Sequence, residues 1–152
     1  MDLKLEVVVI PVSDVDKAKE FYGTALACRE DADSGGEEFR LVHMTPPRSA
    51  CSIVFGRGIT SATPGSLDRL LLAVDDIEKA RDELIDRGVD VGEIFHDAGG
   101  SLGGGFIADP AGRAPGPDPQ RRSYASYAWF RDPDGNRWML QELTERLPGR
   151  VW

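Results

Sequence analysis

Two histidines, His43 and His96, are the side chains in this sequence whose ordinary chemistry moves a proton near neutral pH. Each stands near the end of an apolar, strand-like run, where an imidazole serves as general acid or base if a pocket holds it against a substrate. Asp97 follows His96 directly. Neighbours in a strand point to opposite faces, so the two do not form a couple. Tyr127 and Arg69 complete the candidate catalytic set, a phenol able to pass a proton and a fixed cation able to hold charge on an enolisable or ring-opening substrate. For each histidine the plainer reading is a hydrogen-bonded or exposed side chain at a strand end. Cys28 and Cys51 fit no C-x-x-C spacing and fall in expected strands, so they read as free thiols in a reducing cytoplasm.

The elements that must position these groups come from a repeat. Residues 12–19 read Val-Ser-Asp-Val-Asp-Lys-Ala-Lys and residues 74–81 read Val-Asp-Asp-Ile-Glu-Lys-Ala-Arg. In both, an apolar run ends at an acidic residue that opens a helical pattern. Asp14 and Asp76 are placed as N-caps, and Asp16 and Glu78 sit favourably near the positive helix end. Strands are expected at 5–12, 27–33, 38–45 and 50–56, with a helix at 14–26. After a linker at 57–66 the order repeats, with strands at 68–74, 89–96, 124–130 and 137–143 and a helix at 76–87 closed by Gly88. The chain thus reads as a single domain of two βαβββ modules, at about 5–56 and 67–145. The halves differ at 97–123, a glycine- and proline-rich insertion. Loops this long in compact domains are often functional or mobile. Gly103–Gly105 is not a phosphate loop, because no Lys-Ser/Thr follows it. Arg121 and Arg122, at the loop's end, are cations able to meet a ligand carboxylate.

Length and charge narrow the partners. The 152 residues carry 26 acidic against 18 basic side chains, a formal charge of −8, which repels nucleic acid and anionic membrane. No apolar run approaches the roughly 20 residues of a membrane span, and Asp2, Lys4 and Glu6 interrupt any signal-like stretch. The expectation is a cytoplasmic protein whose partner is a small molecule.

Two βαβββ modules, Phe21-Tyr22 on the first helix, and Phe130-Arg131-Asp132-Pro133-Asp134-Gly135-Asn136 before the last strand together resemble the vicinal oxygen chelate superfamily, which includes glyoxalase I, extradiol dioxygenases and bleomycin-resistance proteins. The resemblance implies an α+β fold, a glyoxalase-like open β-barrel with its helices outside, and a homodimer. Catalytic members of that group hold a divalent metal through His, Glu or Gln on the first strand of each module and on the last strand. Counted from the helix caps and from Asn136, those positions are Val7, Arg69 and Met139. Valine has no donor atom, methionine sulfur is soft, and a guanidinium repels a cation. The resemblance therefore implies a member with no metal cofactor; the alternative is a divalent-metal lyase, isomerase or dioxygenase whose ligands lie elsewhere.

If the Met139 face is inward, strand alternation lines a cavity with Val7, Val9, Arg69, Leu71, Met139 and Gln141, walled by Tyr127 and Trp129. Such a mixture suits a small organic molecule, bound for sequestration or for processing without a metal. Arg69, in apolar surroundings, calls for an oxygen partner from a ligand or from Glu6, Asp68 or Glu142.

Overall fold

A computed structural model describes residues Met1–Arg150. The two repeat junctions are built as the spacing demands. Asp14, in extended backbone at φ −125°, caps α1 (Val15–Thr24) by accepting from the Lys17 N–H at 3.0 Å. Asp76, at φ −142°, caps α2 (Ile77–Asp86) by accepting from the Lys79 N–H at 3.1 Å. Each cap satisfies one of the donors that a helix start leaves unpaired. Gly88 takes φ +85° beyond α2, and the Val89 N–H returns to the Leu84 carbonyl at 3.0 Å, a left-handed closure that favours glycine.

The described residues form two compact units, and neither sheet closes into a barrel. The first comprises Met1–Asp68 with Asp132–Asn136. Its sheet has the order β1 (Val7–Val9), β4 (Ser52–Arg57), β3 (Arg40–Thr45), β2 (Arg29–Gly35), with β1 and β4 parallel and the other pairs antiparallel. Tyr22, Val42 and Phe55 are fully buried in its core, with the Tyr22 and Phe55 rings 5.4 Å apart. The turn 132–136 belongs here by its contacts. Asp132 accepts from the Tyr22 hydroxyl at 2.7 Å, and the Asn136 amide spans from the Asp132 carboxylate to the Pro11 carbonyl, 2.8 Å to each. Those bonds satisfy polar groups that burial would otherwise penalise.

The second unit runs from Arg69 to Arg131 and resumes at Arg137. Its sheet has the order β5 (Leu70–Val74), β9 (Arg137–Glu142), β8 (Ser126–Arg131), β6 (Phe95–Asp97), β7 (Arg113–Pro115), with β5 and β9 parallel. Ala128, Phe130, Trp138 and Leu140 lie on the α2 side, as does Glu142, which accepts from the Ile77 N–H at 3.0 Å at the helix start. The opposite face carries Leu71, Phe95, Tyr127, Trp129, Met139 and Gln141.

Three expectations are corrected. The first strand ladder spans Val7–Val9 rather than 5–12, with one further bond at either end, Ser52 N–H to Glu6 O and Ile10 N–H to Val54 O, both 2.8 Å. The 89–96 strand shrinks to Phe95–Asp97; Val89 and Val91 are buried but sit in irregular backbone that Gly92 ties to the Trp129 carbonyl at 2.8 Å. The 97–123 insertion is not all loop, since β7 within it pairs with β6 as a ninth strand. Three residues between turns give too short an alternation to announce a strand. Cys28 and Cys51 are free, and burial pushes the Cys28 thiol up to about 12.

Candidate functional site

The face of the second sheet turned away from α2 gathers most of the chemistry. Strand pairing sets Phe95 beside Tyr127, Tyr127 beside Gln141, and Trp129 beside Met139, with Leu71 next to Met139 on β5. Phe95 and Trp129 lie nearly parallel, with centroids 6.5 Å apart and planes 17° from each other. A guanidinium stands over each ring: Arg113 over Phe95 and Arg137 over Trp129, both at 4.6 Å. Such contacts are worth about 0.5–2 kcal/mol each and hold the cations against the rings. The Trp129 Nε1 and the Arg113 Nε are both enclosed and have no hydrogen-bond acceptor among the described residues. An unpaired buried donor costs about 1–3 kcal/mol, which an acceptor brought by a ligand would recover.

The 97–107 segment runs over part of this face. Asp97, buried on β6, accepts from the Ser101 N–H at 2.6 Å. The Tyr127 hydroxyl reaches the carbonyls of Leu102 and Tyr124, and having one proton it donates to one at a time. Burial pushes the Tyr127 phenol above its usual range, so it stays a donor. Arg113 donates to the Ile107 carbonyl at 2.8 Å and Arg69 to the Phe106 carbonyl at 3.3 Å, with the Arg69 guanidinium 5.9 Å from the Phe106 ring centroid. Arg69 makes that reach from a left-handed backbone, φ +65°, which costs a non-glycine residue about 1–2 kcal/mol.

Of the residues expected to line a cavity, Arg69, Leu71, Tyr127, Trp129, Met139 and Gln141 share this unit. Tyr127 and Met139 are wholly buried, and the bare backbone of Gly105 lies against both. Leu71 is exposed, and Gln141 donates to the Tyr124 carbonyl at 3.2 Å. Val7 and Val9 are exposed on the first unit. His43, on β3, is half-buried, with its Nε2 enclosed and lacking a partner among the described residues. His96 points to the other side of β6 from Phe95; its Nδ1 lies 2.8 Å from the Gly116 carbonyl, which can only accept, so Nδ1 carries a proton. Glu142, considered above as a partner for Arg69, is held by Arg121 instead, through bonds of 2.8 and 2.6 Å. Arg122 is likewise engaged, donating twice to the buried Asp118 at 3.0 and 2.7 Å. Phe95, Arg113, Arg137 and Phe106 were not in the expected set. An aromatic directly after the glycine run was the one local signal for Phe106. A hollow of about 420 Å³ beside α1 is wide open, and its Lys19 is already paired with Glu30 at 3.0 Å.

The profile of the Glyoxalase/Bleomycin resistance protein/Dioxygenase superfamily matches residues 4–114. The chain belongs to that superfamily. Among solved structures it is similar to TnmS3, an antibiotic binding protein from Streptomyces sp. CB03234, at 28% identity and a TM-score of 0.68 over 93% of this chain and 97% of that one. A glyoxalase/bleomycin resistance protein from the same organism is 29% identical, with a TM-score of 0.64 over 91% of this chain and 99% of that one. A superfamily member from Sphaerobacter thermophilus is 26% identical, with a TM-score of 0.64 over 93% and 98% of the two chains. No curated protein is significantly similar in sequence. The counted positions hold Val7, Arg69 and Met139, and among the described residues no three His, Cys, Asp or Glu side chains group as cation ligands.

Proposed function

We propose that this superfamily member binds a small, partly aromatic organic molecule of antibiotic type on the face of the second sheet turned away from α2, without a metal, and sequesters it unchanged. The observation that carries this reading is the Phe95–Trp129 pair, with its flanking guanidiniums and the enclosed, acceptor-less Trp129 Nε1. It offers flat apolar area for stacking and an N–H to orient what stacks. The likeness to an antibiotic binding protein over nearly the whole chain supports the same class of ligand. Three of the four candidate catalytic groups make hydrogen bonds to backbone carbonyls, Tyr127 to those of Leu102 and Tyr124, His96 to that of Gly116 and Arg69 to that of Phe106, while His43 Nε2 has no partner among the described residues.

A cytoplasmic homodimer completes the proposal. Free Cys28 and Cys51 suit a reducing compartment. On the first unit Leu3, Leu5, Val7 and Val9 alternate along the chain and are 84%, 71%, 36% and 40% exposed, apolar side chains that a second copy would cover.

Titration of tryptophan fluorescence with a panel of aromatic antibiotics, bleomycin among them, tests the reading. At least one compound should quench saturably at one per chain and be recovered intact by mass spectrometry. Trp129→Ala should weaken that compound by about 2 kcal/mol, the usual worth of a central aromatic anchor. Recovery of an altered compound would replace sequestration by catalysis.

A further inference from the structure

On the reading of that face as a binding surface, we propose that residues 101–107 occupy the ligand's own place, and that the ligand displacing them is a flat, polyoxygenated aromatic molecule, neutral or anionic. Gly104 and Gly105 are absent from the left-handed region, so backbone freedom does not explain them. Space does. A Cβ on Gly104 would stand 2.5 Å from the Asp97 Cβ and 2.9 Å from its backbone N; one on Gly105 would stand 2.5 Å from the Tyr127 ring and 2.9 Å from the Met139 Cε. Bare peptide planes therefore lie on the aromatic floor of the sheet, where the flat part of a ligand would stack.

The polar contacts follow the same logic. Side chains of the second unit reach the segment mainly through its main chain: Tyr127 to the Leu102 carbonyl, Arg69 to that of Phe106, Arg113 to that of Ile107, and Asp97 to the Ser101 N–H. Three donors thus meet three carbonyl oxygens, with one acceptor meeting one N–H. A molecule that replaces the segment recovers these contacts by offering acceptors to Arg69, Arg113 and Tyr127 and a donor to Asp97; the Tyr127 hydroxyl otherwise keeps the Tyr124 carbonyl. Several carbonyl or phenolic oxygens on a planar frame meet that requirement. The sign of charge agrees, because Arg69, Arg113 and Arg137 concentrate positive charge here within a chain of net charge −8.

Quercetin, flat and rich in carbonyl and phenolic oxygens, and 9-aminoacridine, flat and cationic, are the probes. Whole-molecule electrostatics favours the acridine. The proposal instead expects quercetin to bind the full chain at least tenfold more tightly by isothermal titration. Hydrogen exchange at the amides of Ser101, Phe106 and Ile107 should speed up when quercetin is bound, and Gly105→Ala, which unseats the segment, should bind it at least threefold more tightly. Slower exchange at those amides would mean that the segment closes over the ligand, and would overturn its role as occupant; so would weaker binding by Gly105→Ala. If that variant does not fold, exchange in the unaltered protein decides. Acridine binding as tightly as quercetin, or antibiotics binding where quercetin does not, would overturn the ligand class. No binding by any compound would instead remove the binding face itself.

Discussion

Glu142 is 1% exposed and still carries charge, because Arg121 donates to both its oxygens and the Ile77 N–H supplies a third bond. The Arg121 hydrogen bonds hold its carboxyl below the usual range, against the opposing pull of burial. Asp118 is lowered in the same way by Arg122. A carboxyl depressed in the folded state contributes stability that is complete above its unfolded value, about 4, and is lost as pH falls through the folded one. Thermal midpoints should therefore be flat from about pH 7 to 5 and fall below about 4. Arg121→Met should destabilise the protein at pH 7 by about 2–3 kcal/mol, less than the about 3–5 of a fully buried broken pair because Arg121 is itself 40% exposed. Without its partner the buried Glu142 titrates upward, so the deficit should shrink by pH 4. Denaturant titrations at the two pH values check it, and a deficit that stays constant would assign Arg121 a packing role.

At the scale of elements, the two helix starts share one cap bond, an aspartate accepting from the N–H three residues on, although Asp76 also lies 3.8 Å from Arg121. Asp14→Ala and Asp76→Ala should each cost about 1 kcal/mol in chemical denaturation, and unequal losses of more than about 1 kcal/mol would show that the caps carry different loads. These starts were legible in the sequence because a cap is a local device, read from one carboxylate and the N–H three residues on. The same locality holds for Asp132-Pro133-Asp134-Gly135-Asn136, whose aspartates, glycine and asparagine are residue types that suit a tight turn. The site was only partly legible. Strand alternation placed Trp129, Met139 and Gln141 on one face, but Phe95 and Arg113 meet through a three-residue pairing that leaves no periodic trace. Tyr127 reads from its strand as an open wall and is instead covered, because the glycines that cover it belong to a segment whose path no local rule dictates. Gly103–Gly105 lacks the Lys-Ser/Thr of a phosphate loop, and Gly104 and Gly105 serve close approach.

For the whole molecule, the acidic surplus and the exposed apolar side chains act at different ranges. Net charge keeps copies apart at long range, whereas Leu3, Leu5, Val7 and Val9 act on contact. Sedimentation should give a dimer at micromolar concentration, and Leu5→Glu should give a folded monomer. A monomer in the unaltered protein would leave those side chains without their proposed cover and the fold untouched. The other border of the first sheet is protected without a partner: β2 reads Arg-Glu-Asp-Ala-Asp-Ser-Gly, and charges along an edge discourage strand addition.

The seating of Asp132–Asn136 in the first unit has a temporal meaning. During synthesis, residues 1–68 leave the ribosome well before that turn exists, at about 5–20 residues per second. Until it arrives, the Tyr22 hydroxyl, the Pro11 carbonyl and the Leu67 N–H wait for Asp132 and Asn136. The nascent first half is thus left without the bonds that complete it until nearly the whole chain has been made. Completion of the early half is coupled to translation of the late one, and a ribosome stalled before residue 132 would display an unfinished, protease-sensitive intermediate.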